Sequence, residues 1–393
     1  MCYNKIAFGH ISRRACQKRY RKNRDTKNTM LKPKPGVDAI QPYQGGKPIE
    51  EVQRELGITD IIKLASNENP LGPAPLVVQA IAESAAKVHL YPDSNAYHLK
   101  RELAAHIGVS PEHLILGNGS NDVLQLIAEA YIAPGDEVIY AAGAFVVYSL
   151  VTKLCDATAV VVPMVNDTHD LSAMATAITD KTKVIFVANP NNPTGTMVTA
   201  DETAAFMEQV PDDVLVVFDE AYYEYVARPD YPQTLPYVLE GRNFIITRTF
   251  SKIYGLAGLR IGYGIAPPVL VETLNRVRQP FNCSLLGQAA ARAALKDTAH
   301  VKESQKSNAA GKAFLYKAFD NMGLPYIQTE GNFIMLHVEP SGAEITDALL
   351  KQGVIVRPMA GYGYPNTIRV TIGTQQENER FIEALKVVSC QEE

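Results

Sequence analysis

Cysteine is scarce in this chain, and what there is lies scattered. Cys2, Cys16, Cys155, Cys283 and Cys390 form no C-x-x-C pair and follow no regular spacing. A disulfide framework and a cysteine-ligated metal site are therefore not indicated, and the pattern fits a reducing, cytoplasmic setting. Long apolar runs are missing too: no stretch reaches the roughly 18 consecutive apolar residues of a membrane span, and the opening has no secretory h-region. There is no internal repeat and no low-complexity tract. Positive charge is short over most of the chain. Of 393 residues with net charge −4, residues 1–30 hold nine Lys or Arg against Asp25 alone, a local +8 that leaves −12 on the rest. Bulk charge thus argues against a nucleic-acid binder. The basic head itself has three readings: a targeting segment, an arm for nucleic acid or a membrane surface, or an unstructured extension upstream of a working start at Met30.

What remains is an ordinary globular composition, 46% hydrophobic and 20% charged, in a chain long enough for a large domain and a smaller one. From about Leu99 to Ala266, helix-like segments alternate with short β-branched runs. The strand candidates are "EVIY" (Glu137–Tyr140), "ATAVVVPM" (Ala157–Met164), "KVIFVANP" (Lys183–Pro190), "VLVVFDEAY" (Val214–Tyr222) and "NFIITRTF" (Asn243–Phe250). Several lack period-2 alternation, as strands covered on both faces do, which predicts an α/β domain with a mainly parallel sheet. After Pro268 long helix-like stretches lead to a last unit read as strand (Gly331–Val338), helix (Ala343–Gln352), short strand "VIVRP", strand (Thr367–Gly373) and helix (Asn378–Val388). This is a smaller α+β domain. The expected organisation is a basic extension (1–30), an arm (31–75) wrapping the surface, a large domain (76–285) and a C-terminal small domain (286–393).

In open parallel sheets, ligands bind beyond the carboxyl ends of the strands. Three consecutive strand candidates end in chemistry: "NPNNPTG" (Asn189–Gly195), "DEAY" (Asp219–Tyr222) and "SK" (Ser251, Lys252). Asp219 is either a helix N-cap or a buried acceptor facing a cationic ring nitrogen. Lys252 is either a solvated surface charge or an amine held in low dielectric, where its depressed pKa lets it form a Schiff base. Thr249, Ser251 and Arg260 bring two hydroxyls and a guanidinium around it, suited to a phosphate dianion. "GNGSNDVLQLI" (Gly117–Ile127) reads as a turn entering a helix. Its amides at Gly119, Ser120 and Asn121 either follow an ordinary serine cap or receive an anion. A phosphate site, a carboxylate for a ring nitrogen and an imine-forming lysine together describe pyridoxal 5′-phosphate (PLP). The run "GLAGLRIGYG" (Gly255–Gly264) is expected to keep the backbone close and side chains small where a flat ring must fit.

The motifs "LASNENPLGP", "YPD", "NPNNPTG", "DEAYYEY", "TFSKIYGLAGLRIGYG" and "IRVTIGT" resemble, in order and spacing, the fold-type I PLP-dependent aminotransferases, from about Ile40 to Val388. The resemblance implies a large domain with a seven-stranded-type, mainly parallel sheet between helices, plus the smaller α+β domain. It implies that Lys252 is the Schiff-base lysine, that Asp219 keeps the cofactor's ring nitrogen protonated, and that Tyr222 and Asn192 hydrogen-bond the ring's 3′ oxygen. Phe145 would stack on the ring, and Gly119, Ser120, Asn121, Thr249, Ser251 and Arg260 would form the phosphate cup. Arg369 matches the clamp for the amino-acid carboxylate, Arg357 an arginine that meets a substrate phosphate, and Asn67 a substrate-side residue. Tyr91 and Tyr43 match residues that reach across a homodimer, Tyr91 to the neighbour's cofactor phosphate and Tyr43 to its substrate. No metal is implied.

Within that family the likeness leans to enzymes that move the amino group of histidinol phosphate onto 2-oxoglutarate. An aromatic amino acid aminotransferase, a PLP decarboxylase of a phosphorylated amino acid and a non-catalytic regulator are the other readings. The chain departs from the pattern at Gly143 and Ala144, where the family often has Pro-Thr. A looser loop before Phe145 is the expectation there.

Overall fold

The computed structural model describes residues 31–42 and 45–389; the basic head, Tyr43 and Cys390 lie outside them. The strands in chain order are β1 (Ile62–Lys63), β2 (Leu114–Gly117), β3 (Glu137–Ala141), β4 (Thr158–Val162), β5 (Thr182–Ala188), β6 (Leu215–Asp219), β7 (Phe244–Thr249) and β8 (Gly262–Ile265). They continue with β9 (Tyr326–Ile327), β10 (Phe333–His337), β11 (Val354–Ile355), β12 (Arg357–Pro358) and β13 (Thr367–Thr371). The large sheet has seven strands in the order β2-β8-β7-β6-β5-β3-β4, as the family resemblance implied. It is parallel except for β8, which runs antiparallel to both neighbours.

The central strands lack polar alternation because each of their faces has its own core. Ile185, Val187, Val216, Phe218, Phe244 and Ile246 point into one apolar cluster. Val184, Phe186, Leu215, Val217 and Ile245, their neighbours in sequence, point into the other. Edge strand β4 differs, with Thr158, Ala159 and Val161 exposed, so a β-branched run there did not mean two-sided cover.

Four strands have no counterpart in the strand candidates: β1, β2, β8 and β9. In β8, "GYGI", two of the four residues are glycines, which weaken strand propensity. Those glycines do not make room for a ring. A Cβ on Gly262 would sit 2.4 Å from the Ser120 amide nitrogen, and one on Gly264 would sit 2.8 Å from Ile115. Gly255 is likewise pressed on Gly72, with a Cβ 2.3 Å from its carbonyl oxygen. The close backbone expected of this stretch is present, but at these three glycines it serves packing of the chain on itself, and Gly262 lets the helix Ser120–Tyr131 start against the sheet.

The second sheet is antiparallel, ordered β12-β13-β10-β9, and carries a core of its own around Phe319, Leu336, Val370 and Phe381. "VIVRP" is shared between two sheets. Val354 and Ile355 pair with β1, while Arg357 and Pro358 pair with β13. The segment before residue 75 is thus tied to the C-terminal strands, and Val52 and Ala65 close a small cluster with Ile355. The helix Leu285–Lys296 places Ala290, Ala291 and Ala294 in the core of the large sheet.

Candidate active site

Loops from the carboxyl ends of β5, β6 and β7 meet the first turn of the helix Ser120–Tyr131 around a pocket of about 210 Å³. The site has the position that sheet topology requires. Ala65–Asn67 from the arm and Arg357, Tyr362 and Arg369 from the antiparallel sheet complete its wall.

Lys252 follows β7 and points its amine into this pocket, donating to the Ser66 carbonyl oxygen at 3.2 Å. Burial first, then the Arg369 guanidinium, pushes its ammonium down to about 7. Asp219 ends β6 and is buried. Its Oδ1 accepts from Thr247 Oγ1 and its Oδ2 from the Tyr148 hydroxyl, each at 3.0 Å. Burial lifts this carboxyl to about 6. The N-cap reading of Asp219 falls away, because the next helical turn begins only at Tyr223 with Tyr222 as its cap, and the Thr247 and Tyr148 hydroxyls hold the carboxylate.

The Tyr222 hydroxyl accepts from Asn67 Nδ2 at 2.9 Å, and burial raises its phenol to about 12. Asn67, in the left-handed region at φ 54°, also donates its amide to Thr371 Oγ1 at 2.9 Å. It therefore links arm, large sheet and C-terminal strand. Asn192 lines the pocket, with its Oδ1 accepting from Arg369 Nη1. Arg369 Nη2 donates to the Ala65 carbonyl at 3.0 Å.

Thr249 Oγ1 donates to Ser251 Oγ at 2.9 Å, and Arg260 Nη1 reaches the same oxygen at 3.3 Å. Gly119 faces this group at φ +83°, where a Cβ would come within 2.4 Å of Arg260 Nη2. Only glycine lets the guanidinium lie against the helix N-terminus. Ser120 and Asn121 line the pocket there, and Phe145 lines it from the start of the helix Val146–Leu154.

Tyr91 is not brought to the pocket of its own chain. It is 81% exposed and stacks on Phe281 with ring centroids 4.6 Å apart. Tyr43 lies outside the described residues. Residues absent from the sequence expectation are Tyr148, Thr247, Tyr362 and the Ser66 carbonyl. Two carried a legible signal: Thr247 shares a strand face with Thr249, and Tyr148 follows Phe145 by three residues on one helical face. Gly143 corrects a further expectation. It sits at φ +68°, which proline's fixed φ forbids, and a Cβ there would meet the Tyr364 ring at 3.2 Å. The turn is held by packing on that tyrosine rather than loosened.

A buried lysine and carboxylate below two arginines, with an anion cradle alongside, are the parts of an enzyme that handles amino acids. The family model for class I and II aminotransferases matches residues 59–385, and the chain belongs to that family. A histidinol-phosphate aminotransferase of Moorella thermoacetica is 53% identical over 92% of this chain and 94% of its own. Histidinol-phosphate aminotransferase 1 of Nitrosococcus oceani is 49% identical over 90% of this chain and 95% of its own. Among solved structures, the histidinol-phosphate aminotransferase of Sinorhizobium meliloti in complex with pyridoxal 5′-phosphate aligns with a TM-score of 0.84. It is 28% identical and covers 92% of this chain and 100% of its own.

Proposed function

We propose that the chain transfers the amino group of histidinol phosphate to 2-oxoglutarate, yielding imidazole acetol phosphate and glutamate by a ping-pong route, with pyridoxal 5′-phosphate as its cofactor. The observation that carries this reading is the convergence of Lys252, Asp219, Arg357 and Arg369 on one pocket. The residues fit the cofactor. Asp219 is a buried carboxylate with its pKa raised by desolvation, and a neighbouring cationic nitrogen would relieve that cost. Thr249, Ser251, Arg260 and the Ser120 helix terminus offer hydroxyls, a guanidinium and a positive dipole end to a phosphate.

When bound, PLP supplies an electron-accepting ring that stabilises negative charge at the substrate's Cα. The chain's residues do the rest. Lys252, near neutrality at working pH, accepts a proton as readily as it gives one, as a general acid–base should. Asp219 stays charged opposite a cation, its orientation fixed by Thr247 and Tyr148. Tyr222, held by Asn67, and Asn192 offer polar atoms to the ring's 3′ oxygen. Phe145 gives the ring an apolar face, and Gly119 and Asn121 complete the phosphate cup. Arg369, fixed by Asn192 and the Ala65 carbonyl, presents a fork to the carboxylate of the second substrate pair. Arg357 receives the phosphate of histidinol phosphate.

The working unit is a homodimer with shared sites in the cytoplasm. Tyr91 and its exposed neighbours Val88 and Leu90 support the interface, and Tyr91 would reach the partner's cofactor phosphate and Tyr43 its substrate. The chain divides into an arm to about residue 75, a cofactor-binding unit and a C-terminal unit. For the last boundary, expected at 286, packing of the helix Leu285–Lys296 on the large sheet supports a position after residue 296.

Turnover of histidinol phosphate, phenylalanine and glutamate by the purified enzyme, with products identified, tests the reading. Histidinol phosphate should be the best donor, and Arg357→Ala should lower its kcat/KM by about 100-fold or more while sparing phenylalanine. Equal losses on both donors would remove the phosphate argument, and decarboxylated products would replace transamination altogether.

A further inference from the structure

Arg357 and Tyr362 reach the pocket from one short segment. β12 begins at Arg357, Met359 is buried, and a single 3-10 turn, Ala360–Tyr362, carries the chain over the mouth before it returns through Tyr364 to β13. The inner end of this strap is well tied: Met359 donates its amide to the Thr367 carbonyl at 3.0 Å, and its own carbonyl accepts from the amides of Tyr362 and Tyr364. Its outer part, Ala360, Gly361 and Gly363, is exposed.

Gly363 donates its amide back to the Ala360 carbonyl, Tyr362 and Tyr364 pack on the cluster around Met359, and a further contact ties the outer part to the other side of the pocket. The Tyr364 hydroxyl donates to Asp167 Oδ1 at 3.0 Å. Asp167 sits at φ +58° in the tight turn closed by Val165 and Thr168, and its carbonyl accepts from Thr196 Oγ1 at 2.7 Å. Thr196 belongs to the loop that carries Asn192, so the tyrosine is anchored to a pocket wall. The Tyr364 ring lies over Gly143, two residues before Phe145, where any side chain would crowd it.

We propose that Tyr364 and Asp167 are positioning residues: their hydrogen bond latches the strap across the pocket, and so holds Arg357 and Tyr362 where the phosphate-bearing end of the amino donor must lie. This rests on the substrate reading above for the nature of the donor. It also gives Gly143 a purpose, since the departure at that position is what admits the tyrosine ring. Neither Tyr364 nor Asp167 lines the pocket, so they act through the residues they hold.

The test is a double-mutant cycle on the purified holoenzyme with Tyr364→Phe, Asp167→Ala and both together, and Asp167→Asn as the conservative variant. A hydrogen bond to a charged acceptor sets the scale, so each single change should raise KM for histidinol phosphate by about 10-fold, with kcat within about twofold. KM for 2-oxoglutarate, which has no phosphate for Arg357, should move much less. The cofactor's visible band and Tm should stay as in the unaltered enzyme. Asn still offers a side-chain oxygen and tolerates the left-handed backbone, though without the charge, so Asp167→Asn should raise KM clearly less than Asp167→Ala. The double variant should be no worse than either single one.

Additive effects, an unchanged KM in Tyr364→Phe, equal KM rises for both substrates, or loss of cofactor and Tm in place of KM would each overturn the latch. Failure of the substrate reading is seen separately, in the unaltered enzyme: a preference for phenylalanine changes the donor on which the cycle is measured, and non-additivity is then required on that donor.

Discussion

Lys252 shows how far a single residue can be read and where reading stops. Its place after a β-branched run, among hydroxyls and ahead of an arginine, marked it as an amine with an unusual task. What the sequence could not contain is the size of its perturbation, because burial by the folded chain is the main cause and the next, the Arg369 guanidinium, stands 117 positions later in the chain. A depressed lysine pKa has a testable thermodynamic sign. Between about 7 and its ordinary 10.5, the unfolded chain holds a proton that the folded, cofactor-free chain lacks, so this residue's contribution rises with pH across that window and is lost as pH falls through 7. Lys252→Met removes the cost of burying the charge. The cofactor-free variant should melt several degrees above wild type at pH 6, with the gap closing toward pH 10, and it should show no lysine-linked visible band when PLP is added. A gap independent of pH would contradict the assignment of the shift to this amine.

At the scale of the element, β6 and β7 deserve comparison. Successive residues of a strand face opposite ways, and here the two faces have different tasks. Thr247 holds Asp219 toward the pocket, while Arg248 binds Glu220 on the far side through Nε at 2.9 Å and Nη2 at 2.7 Å. Glu220 is fully buried, takes a second bond from Thr234, and Arg248 stacks its guanidinium on Tyr223 at 3.6 Å. Glu220→Ala would leave the arginine's charge without its partner, and urea unfolding should report a loss of about 3–5 kcal/mol. Glu220→Gln, which keeps an acceptor, should lose less; equal stability of the alanine variant and wild type would refute the account. The strand ends that meet at the pocket were legible because "DEAY" and "SK" interrupt apolar runs. The ion pair behind them was not, because two charges in one sheet become partners only through strand register. β2 and β8 escaped for a related reason: "LILG" is too short to separate from a buried helical turn, and "GYGI" is a strand by virtue of what packs on it.

For the whole molecule, the two sheets and the succession of motifs were legible, while the route of the arm was not, since Pro- and Gly-rich sequence says little about what it will lie against. The same holds for assembly. Tyr91 leaves its own pocket and stacks outward on Phe281, and the proposed dimer turns that exposure into a prediction. Lys252→Ala and Tyr91→Ala proteins, each impaired alone, should regain activity when mixed and allowed to exchange subunits. The mixed dimer then holds one site with both groups intact. No recovery after verified exchange would place Tyr91 outside the partner's site.

The pairing of β1 with β11 and the bond from Asn67 to Thr371 have one further consequence, for the order in which the protein comes into being. Residues 304 positions apart share that bond, and a second spans the same separation between Ala65 and Arg369. A ribosome releases Thr249, Lys252 and Arg260 long before it releases the strand that completes the pocket. A nascent chain can build most of the large sheet, yet it must wait for its last few dozen residues before β1 has a strand to pair with. Such distant closure is slow to search for and is found late. The pocket is therefore completed abruptly at the end of synthesis, and a chain truncated before β13 would carry Lys252 without the Arg369 and Thr371 contacts that close the wall around it.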